Sequence, residues 1–157
     1  MKSLSEIETV SKRASRAAGY SWGICEEVGK NIRLLEMFGL PGIKNLNDYY
    51  DKKKKQKFEN LKLINVENKA AKLQYCPIIS GTSFLDQIKS LENLKEIKFE
   101  KIAYPLLFLP FVSRASEVIG KRLLLKFNKN SLSSNFKNNL LPTISDARLT
   151  NGKKSKG

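Results

Sequence analysis

Gly19-Tyr-Ser-Trp-Gly-Ile-Cys-Glu-Glu-Val-Gly29 contains the chain's only Trp, two adjacent carboxylates and three glycines. Gly19 is typical of a residue that ends a helix, and Ser21 of a residue that caps the next one. The stretch therefore predicts a helix over Ser5–Ala18 and a second over Ser21–Phe38. A glycine inside a helix costs about 0.8–1.0 kcal/mol relative to Ala, so Gly29 needs a packing reason.

The two predicted helices carry faces that could pack together. Trp22, Cys25 and Gly29 recur at helical spacing along the second helix. In the first helix, Ser5 and Glu8 have the spacing of a capping box, and alanines at positions 14, 17 and 18 form a small surface. We predict a close antiparallel helical hairpin in which the alanines face Gly29 and Trp22 is buried.

The rest of the chain mixes helical and strand patterns. Two segments alternate as strands do, and three others favour helix. The predicted strands are Glu96–Glu100 and Lys121–Asn128, and the predicted helices are Ile43–Asn68, Ser83–Leu91 and Phe111–Ile119. We therefore predict an α+β fold in which the N-terminal helical hairpin packs with a small, mainly antiparallel sheet.

Length and composition indicate one folded domain. The 157 residues are 41% hydrophobic, which fits a globular domain over 1–150 followed by a disordered basic tail over 151–157. No signal-peptide pattern is seen near the N-terminus, and the longest apolar run, Ile102–Val112, is shorter than the roughly 20 residues of a membrane span. Cys25 and Cys76 have no disulfide framework around them. We expect a cytoplasmic protein without a membrane partner.

The chain has no His, which narrows the kinds of catalytic and metal-binding site that it can form. Without imidazole, Ser-His and Cys-His nucleophiles and His-containing metal sites are excluded. The chain also lacks both common glycine-rich nucleotide motifs, although the loop predicted at Ser80–Ser83 could bind an anion at a helix start. We expect no metal and no cofactor.

A net charge of +14 suggests nucleic acid as one alternative partner. Tyr49 and Tyr50 would supply stacking faces, and the run Lys52, Lys53, Lys54 and Lys55 would supply cations. However, only six of the 29 basic residues are Arg, and four consecutive lysines spread around a helix axis. A solvated basic surface is the simpler interpretation.

The chain offers few candidates for catalysis. Glu26 or Glu27 could act as acid or base, with Arg16 or Arg33 holding an anionic substrate. Neighbouring helical residues point about 100° apart, so Glu26 and Glu27 cannot easily act on the same substrate atom. A role as acidic residues that complement the positive N-terminal end of the helix is the simpler interpretation. Cys25 is a candidate nucleophile, but the sequence offers no base to activate it. The simpler interpretation is that it packs in the interface between the two helices.

The motif Ala-Ser-Arg-Ala-Ala-Gly-Tyr-Ser-Trp-Gly-Ile-Cys-Glu-Glu-Val-Gly-Lys, followed by Gly39-Leu-Pro-Gly42, resembles the N-terminal part of a bacterial domain-of-unknown-function family, number 3726. The blocks Pro77-x-x-x-Gly81 and Tyr104-Pro-Leu-Leu-Phe-Leu-Pro-Phe-Val-Ser-Arg-Ala are similar to later parts of that family. The run Lys52–Lys57 departs from it by being more basic. The resemblance implies a cytoplasmic bacterial protein with no assigned reaction.

Three functions stay open at this point. The favoured one is a non-catalytic accessory module that binds a protein partner or small ligand around Arg16, Trp22 and Glu26. The second is a small enzyme that uses Glu26 or Glu27. The third is a basic nucleic-acid-binding protein that uses the segment from Tyr49 to Lys55.

Overall fold

The structure is a computed structural model that describes residues 2–69, 72–127 and 142–146. Within these residues the chain is α+β, as predicted, with five α-helices, one 3₁₀ turn and four short strands. The helices are α1 (Leu4–Ala17), α2 (Trp22–Met37), α3 (Gly42–Lys55), α4 (Pro77–Leu91) and α5 (Leu109–Ile119), and the 3₁₀ turn is Pro105–Leu107. The strands are β1 (Glu67–Asn68), β2 (Glu96–Phe99), β3 (Leu123–Phe127) and β4 (Pro142–Asp146).

Contacts divide the chain into two compact units, Met1–Lys57 and Phe58–Gly157. We call them unit 1 and unit 2 and describe each by itself. A single domain over 1–150, and the packing of a helical hairpin with the sheet, stay predictions. The tail predicted to be disordered, 151–157, lies outside the described residues.

The N-cap of α1 is Ser3, two residues before the predicted cap Ser5. The Ser3 side chain accepts a hydrogen bond from the Glu6 N–H at 3.1 Å, and the Glu6 carboxylate accepts one from the Ser3 N–H at 2.8 Å. This is a complete capping box. The predicted pair, Ser5 and Glu8, has the same spacing but lies inside the helix.

Gly29 allows α2 to approach α1 closely. A Cβ atom at Gly29 would lie 2.6 Å from Cγ of Lys12 and 3.0 Å from the carbonyl oxygen of Glu8. The predicted contact of Gly29 with the three alanines is therefore wrong, because Gly29 meets a more N-terminal part of α1. The alanines instead line a cavity with residues of α3.

The predicted burial of Trp22 is also wrong, because its side chain is 60% exposed. Ser21 caps α2 as predicted, so Trp22 is the first residue of that helix. Helical side chains lean toward the N-terminus. At the first position, the side chain therefore extends past the end of the helix and away from the interface that Cys25 and Gly29 fill.

Helix α3 is held at both ends of its buried face. Its Ile43 N–H donates to the Glu36 carboxylate at 2.8 Å, which satisfies one of the unpaired donors at a helix start. Further along, the Tyr50 hydroxyl lies 2.6 Å from Ser15 Oγ of α1. The helix ends at Lys55, so the prediction of helix to Asn68 is wrong for the last part of that segment.

Unit 2 contains a four-stranded sheet in the order β1-β2-β4-β3. The β1–β2 pairing is parallel, whereas the β2–β4 and β4–β3 pairings are antiparallel. Strands β2 and β3 lie inside the two segments predicted as strands. Fully buried aromatic rings form the centre of the core of unit 2, namely Phe84, Phe99 and Phe108.

Helix α4 begins at Pro77, with Cys76 as its N-cap, so the loop predicted before Ser83 is wrong. Proline suits the first turn of a helix, because the N–H it lacks has no partner there. Ser80 and Gly81 are consequently buried in the helix. Ser80–Ser83 is not at a helix start, and the predicted anion-binding loop is wrong as well.

Candidate functional site

Trp22 and Arg16 form an exposed pair on unit 1. The Arg16 guanidinium carbon lies 4.9 Å from the centre of the Trp22 ring, within the range of a cation–π contact. Arg16 also donates to the Tyr20 carbonyl oxygen at 3.1 Å. The guanidinium is anchored to the backbone, and its contact with the Trp22 ring favours this orientation of the ring by about 0.5–1 kcal/mol.

Two ion pairs cross from α1 to α2 on either side of Gly29. Lys12 Nζ lies 3.6 Å from the Glu26 carboxylate, and Arg33 lies 3.1 Å from the Glu8 carboxylate. The pairs connect the helices in opposite order along the chain, which is the pattern of antiparallel neighbours. Both pairs are partly exposed, so each contributes little to stability.

Three residues of the predicted enzyme site contact other side chains in the structure. Arg16 lies on Trp22, Arg33 binds Glu8, and Glu26 binds Lys12. Glu27 is half-buried next to Glu26 on α2. A site that uses Glu26 or Glu27 as acid or base, with Arg16 or Arg33 holding an anionic substrate, stays a prediction.

Cys25 does not have the environment of a nucleophile. Its side chain is fully buried, and its thiol donates to the Tyr20 carbonyl oxygen at 3.6 Å. Burial raises the pKa of the Cys25 thiol, an effect that the nearby Arg16 charge only partly opposes. The packing interpretation of Cys25 is the one that the geometry supports. In the part of the chain that is described, no group of three or more Cys, Asp or Glu residues could hold a metal ion.

A cavity of about 590 Å³ lies between α1 and α3. We call it the α1–α3 cavity. Its lining consists of small residues of α1 and polar residues of α3: Ala14, Ala17, Ala18, Asn47, Tyr50, Asp51, Lys53 and Lys54. Lys53 Nζ lies 3.4 Å from the Ala18 carbonyl oxygen and 5.2 Å from the centre of the Tyr20 ring.

The aromatic part of the predicted nucleic-acid site is wrong. Tyr49 is fully buried and Tyr50 nearly so, so neither ring is available to stack on a base. Of the lysines, Lys52 and Lys53 are half-buried, whereas Lys54 and Lys55 are exposed. Lys54 lies 3.9 Å from the Asp51 carboxylate.

Arg16, from the predicted partner-binding surface, and Lys53, from the predicted nucleic-acid site, lie close together at the end of α1. Tyr20 connects them, because its carbonyl accepts from Arg16 while its ring lies under Lys53. Sequence reasoning missed the cavity. The spacing of Leu46, Tyr49 and Tyr50 marks a buried face of α3, but it does not say which helix that face meets, so it does not indicate the cavity.

Residues 2–75 match the model of one protein family, described as a protein of unknown function, DUF3726. The resemblance noted from the sequence is therefore confirmed over these residues, which include unit 1 from its second residue onward. No curated protein and no solved structure matches the chain. Among the described residues, none of the helices has the length and apolar character needed to cross a bilayer.

Proposed function

Because residues 2–75 match a family without a known function, we propose from the geometry that unit 1 is a non-catalytic binding module whose exposed Trp22 engages a protein partner. The observation that carries the proposal is the Arg16–Trp22 pair. A large aromatic side chain is 60% exposed, yet its orientation is restrained by a cation that is itself anchored to the backbone.

A restrained aromatic ring is well suited to binding. Trp, Tyr and Arg are the residue types that most often carry the energy of protein interfaces. A side chain that is already ordered loses less conformational freedom on binding, and that cost is about 0.5–1.5 kcal/mol for a flexible side chain. The Arg16–Trp22 pair therefore combines an apolar anchor with a reduced cost of ordering.

The charges around Trp22 favour an acidic partner. Arg13 lies one helical turn before Arg16 and is exposed, and Glu26, one turn after Trp22, is already paired with Lys12. The uncompensated charge at this surface is therefore positive. A partner segment with carboxylates beside an apolar anchor would match it in charge and associate faster at low salt.

The partner can be identified by photo-crosslinking through position 22. A photoreactive phenylalanine analogue would replace Trp22 in one variant and Phe38, which is 70% exposed at the other end of α2, in a control variant. We expect one discrete crosslinked protein from position 22, absent from position 38. The purified partner should bind the wild-type chain and bind Arg16→Ala more weakly, with Arg13→Ala intermediate.

The proposal fails if positions 22 and 38 give the same crosslinked proteins. It also fails if the purified partner binds Arg16→Ala as tightly as it binds the wild-type chain. Either result would mean that the exposed Trp22 is an ordinary surface residue.

We also infer that the protein works in the cytoplasm. Cys25 and Cys76 are not joined in a disulfide and both are buried, which suits a reducing compartment. Fractionation of the source cells, with the chain detected by antibody, would test this location. Recovery in an exported fraction would contradict it.

A further inference from the structure

The α1–α3 cavity suggests a small-molecule site separate from the Trp22 surface. We propose that it binds a small organic carboxylate with an apolar body about the size of one ring. The proposal does not depend on a partner protein at Trp22, because Trp22 and Arg16 are not among the residues that line the cavity.

The volume of this open cavity fits such a ligand. Ligand pockets in proteins are mostly about 300–1,000 Å³, and this cavity has a volume of about 590 Å³. One wall is the surface of Ala14, Ala17 and Ala18, whose methyl groups provide apolar contact without filling the space. The facing wall is α3.

The cavity is largely formed before any ligand binds. Ser15 donates to the Ser11 carbonyl oxygen at 2.8 Å, so the Tyr50 hydroxyl is the donor in its 2.6 Å bond to Ser15. This buried bond fixes α3 against α1 beside the alanines. A ligand would therefore enter a site whose walls are already in place, which lowers the cost of binding.

The charged side chains that line the cavity favour a ligand with a single negative charge. Asp51 and Lys54 lie 3.9 Å apart and offset each other. Lys53 donates one N–H to the Ala18 carbonyl oxygen, and an ammonium group has two more to offer. A carboxylate at Lys53 would form a charge-assisted hydrogen bond, with its apolar body on the alanines.

The test is an NMR titration of the full chain with benzoate, compared with benzamide as a neutral probe of the same shape. We expect saturable changes in the backbone amide signals of residues 14–18 and 47–54, with a dissociation constant on the order of 1 mM for so small a probe. Benzamide should bind at least several-fold more weakly, because it cannot form the charge-assisted bond.

Matched variants separate the cavity from general surface charge. Lys53→Gln should weaken benzoate binding about tenfold, while Lys55→Gln, an exposed lysine on the same helix, should leave it unchanged. Ala17→Leu should abolish binding by filling the cavity. Because Ala17 is exposed, this variant should keep the wild-type spectrum elsewhere.

Several results would overturn the proposal. These are signal changes that do not saturate, equal affinity for benzamide, equal loss in Lys53→Gln and Lys55→Gln, or full binding by Ala17→Leu. If Ala17→Leu does not fold, the comparison of the two lysine variants decides alone.

Discussion

Helices α4 and α5 contact each other so closely at Gly81 that adding one methyl group there should lower the free energy of unfolding substantially. In unit 2, a Cβ atom at Gly81 would lie 2.1 Å from Cδ2 of Phe111 and 2.5 Å from its Cγ. Carbon atoms pack at about 3.5–4.0 Å, so the Phe111 ring would have to move by about 1.5 Å. Phe111 is 1% exposed and has little room to move.

The net cost of Gly81→Ala follows from two opposing effects. Overpacking a close-packed core costs about 1–3 kcal/mol, and a displacement of this size belongs at the upper end. Replacing an interior helical Gly by Ala recovers about 0.8–1.0 kcal/mol. We therefore expect the free energy of unfolding to fall by about 2 kcal/mol, measured by urea denaturation followed by circular dichroism.

Two comparisons make this prediction specific. A Cβ atom at the helical Gly23 would have no atom within 4 Å outside its chain neighbours and its own helix backbone, so Gly23→Ala should leave stability unchanged or raise it by up to about 1 kcal/mol. Phe111→Leu should reduce the cost of Gly81→Ala, giving a non-additive double-mutant cycle. Equal stability of Gly81→Ala and wild type, or strict additivity with Phe111→Leu, would refute the packing argument.

Three further predictions concern unit 1. Gly29→Leu should lower the free energy of unfolding by about 1–3 kcal/mol, because its side chain would meet the Glu8 backbone; an unchanged urea midpoint would contradict this. Cys25 should resist iodoacetamide in the native protein and react after denaturation, as followed by mass spectrometry, and rapid native alkylation would restore the nucleophile hypothesis. Ser3→Ala should cost about 0.5–2 kcal/mol at neutral pH. Hydrogen bonds from the Ser3 backbone N–H and, second, from the Ser3 side chain lower the pKa of Glu6. The stability that they provide is present above the ordinary pKa of Glu6 and is lost as the pH falls through the lowered value. Ser3→Ala keeps the backbone N–H, so the variant should still lose stability in acid, and a variant with no such loss would contradict this assignment.

Local signals predicted several elements correctly. Ser21 caps α2, and Gly120, in the left-handed region at φ 67°, ends α5, both as their residue types indicate. Strand β2 follows from the alternation of Ile97 and Phe99 with charged residues. These signals depend on neighbours in the chain, so the sequence contains them directly.

Other features depend on competing or distant contacts. Ser3 and Ser5 each have a Glu three residues later, and spacing alone could not select the pair that forms the capping box. Trp22 has the helical spacing of a buried residue, yet its place at the start of α2 exposes it. Which helix lies opposite the α1 alanines depends on tertiary contacts. The α1–α3 cavity could therefore not be predicted from the local sequence pattern.

We propose Trp22 as the anchor of a protein interface. Calorimetric titration of the crosslinked partner, once purified, tests it most directly by comparing Trp22→Ala with Phe38→Ala, since both remove an exposed aromatic side chain from unit 1. We expect Trp22→Ala to weaken binding by about 30-fold or more, the size of an interface hot spot, and Phe38→Ala to leave the affinity unchanged. Equal affinities for the two variants would contradict it.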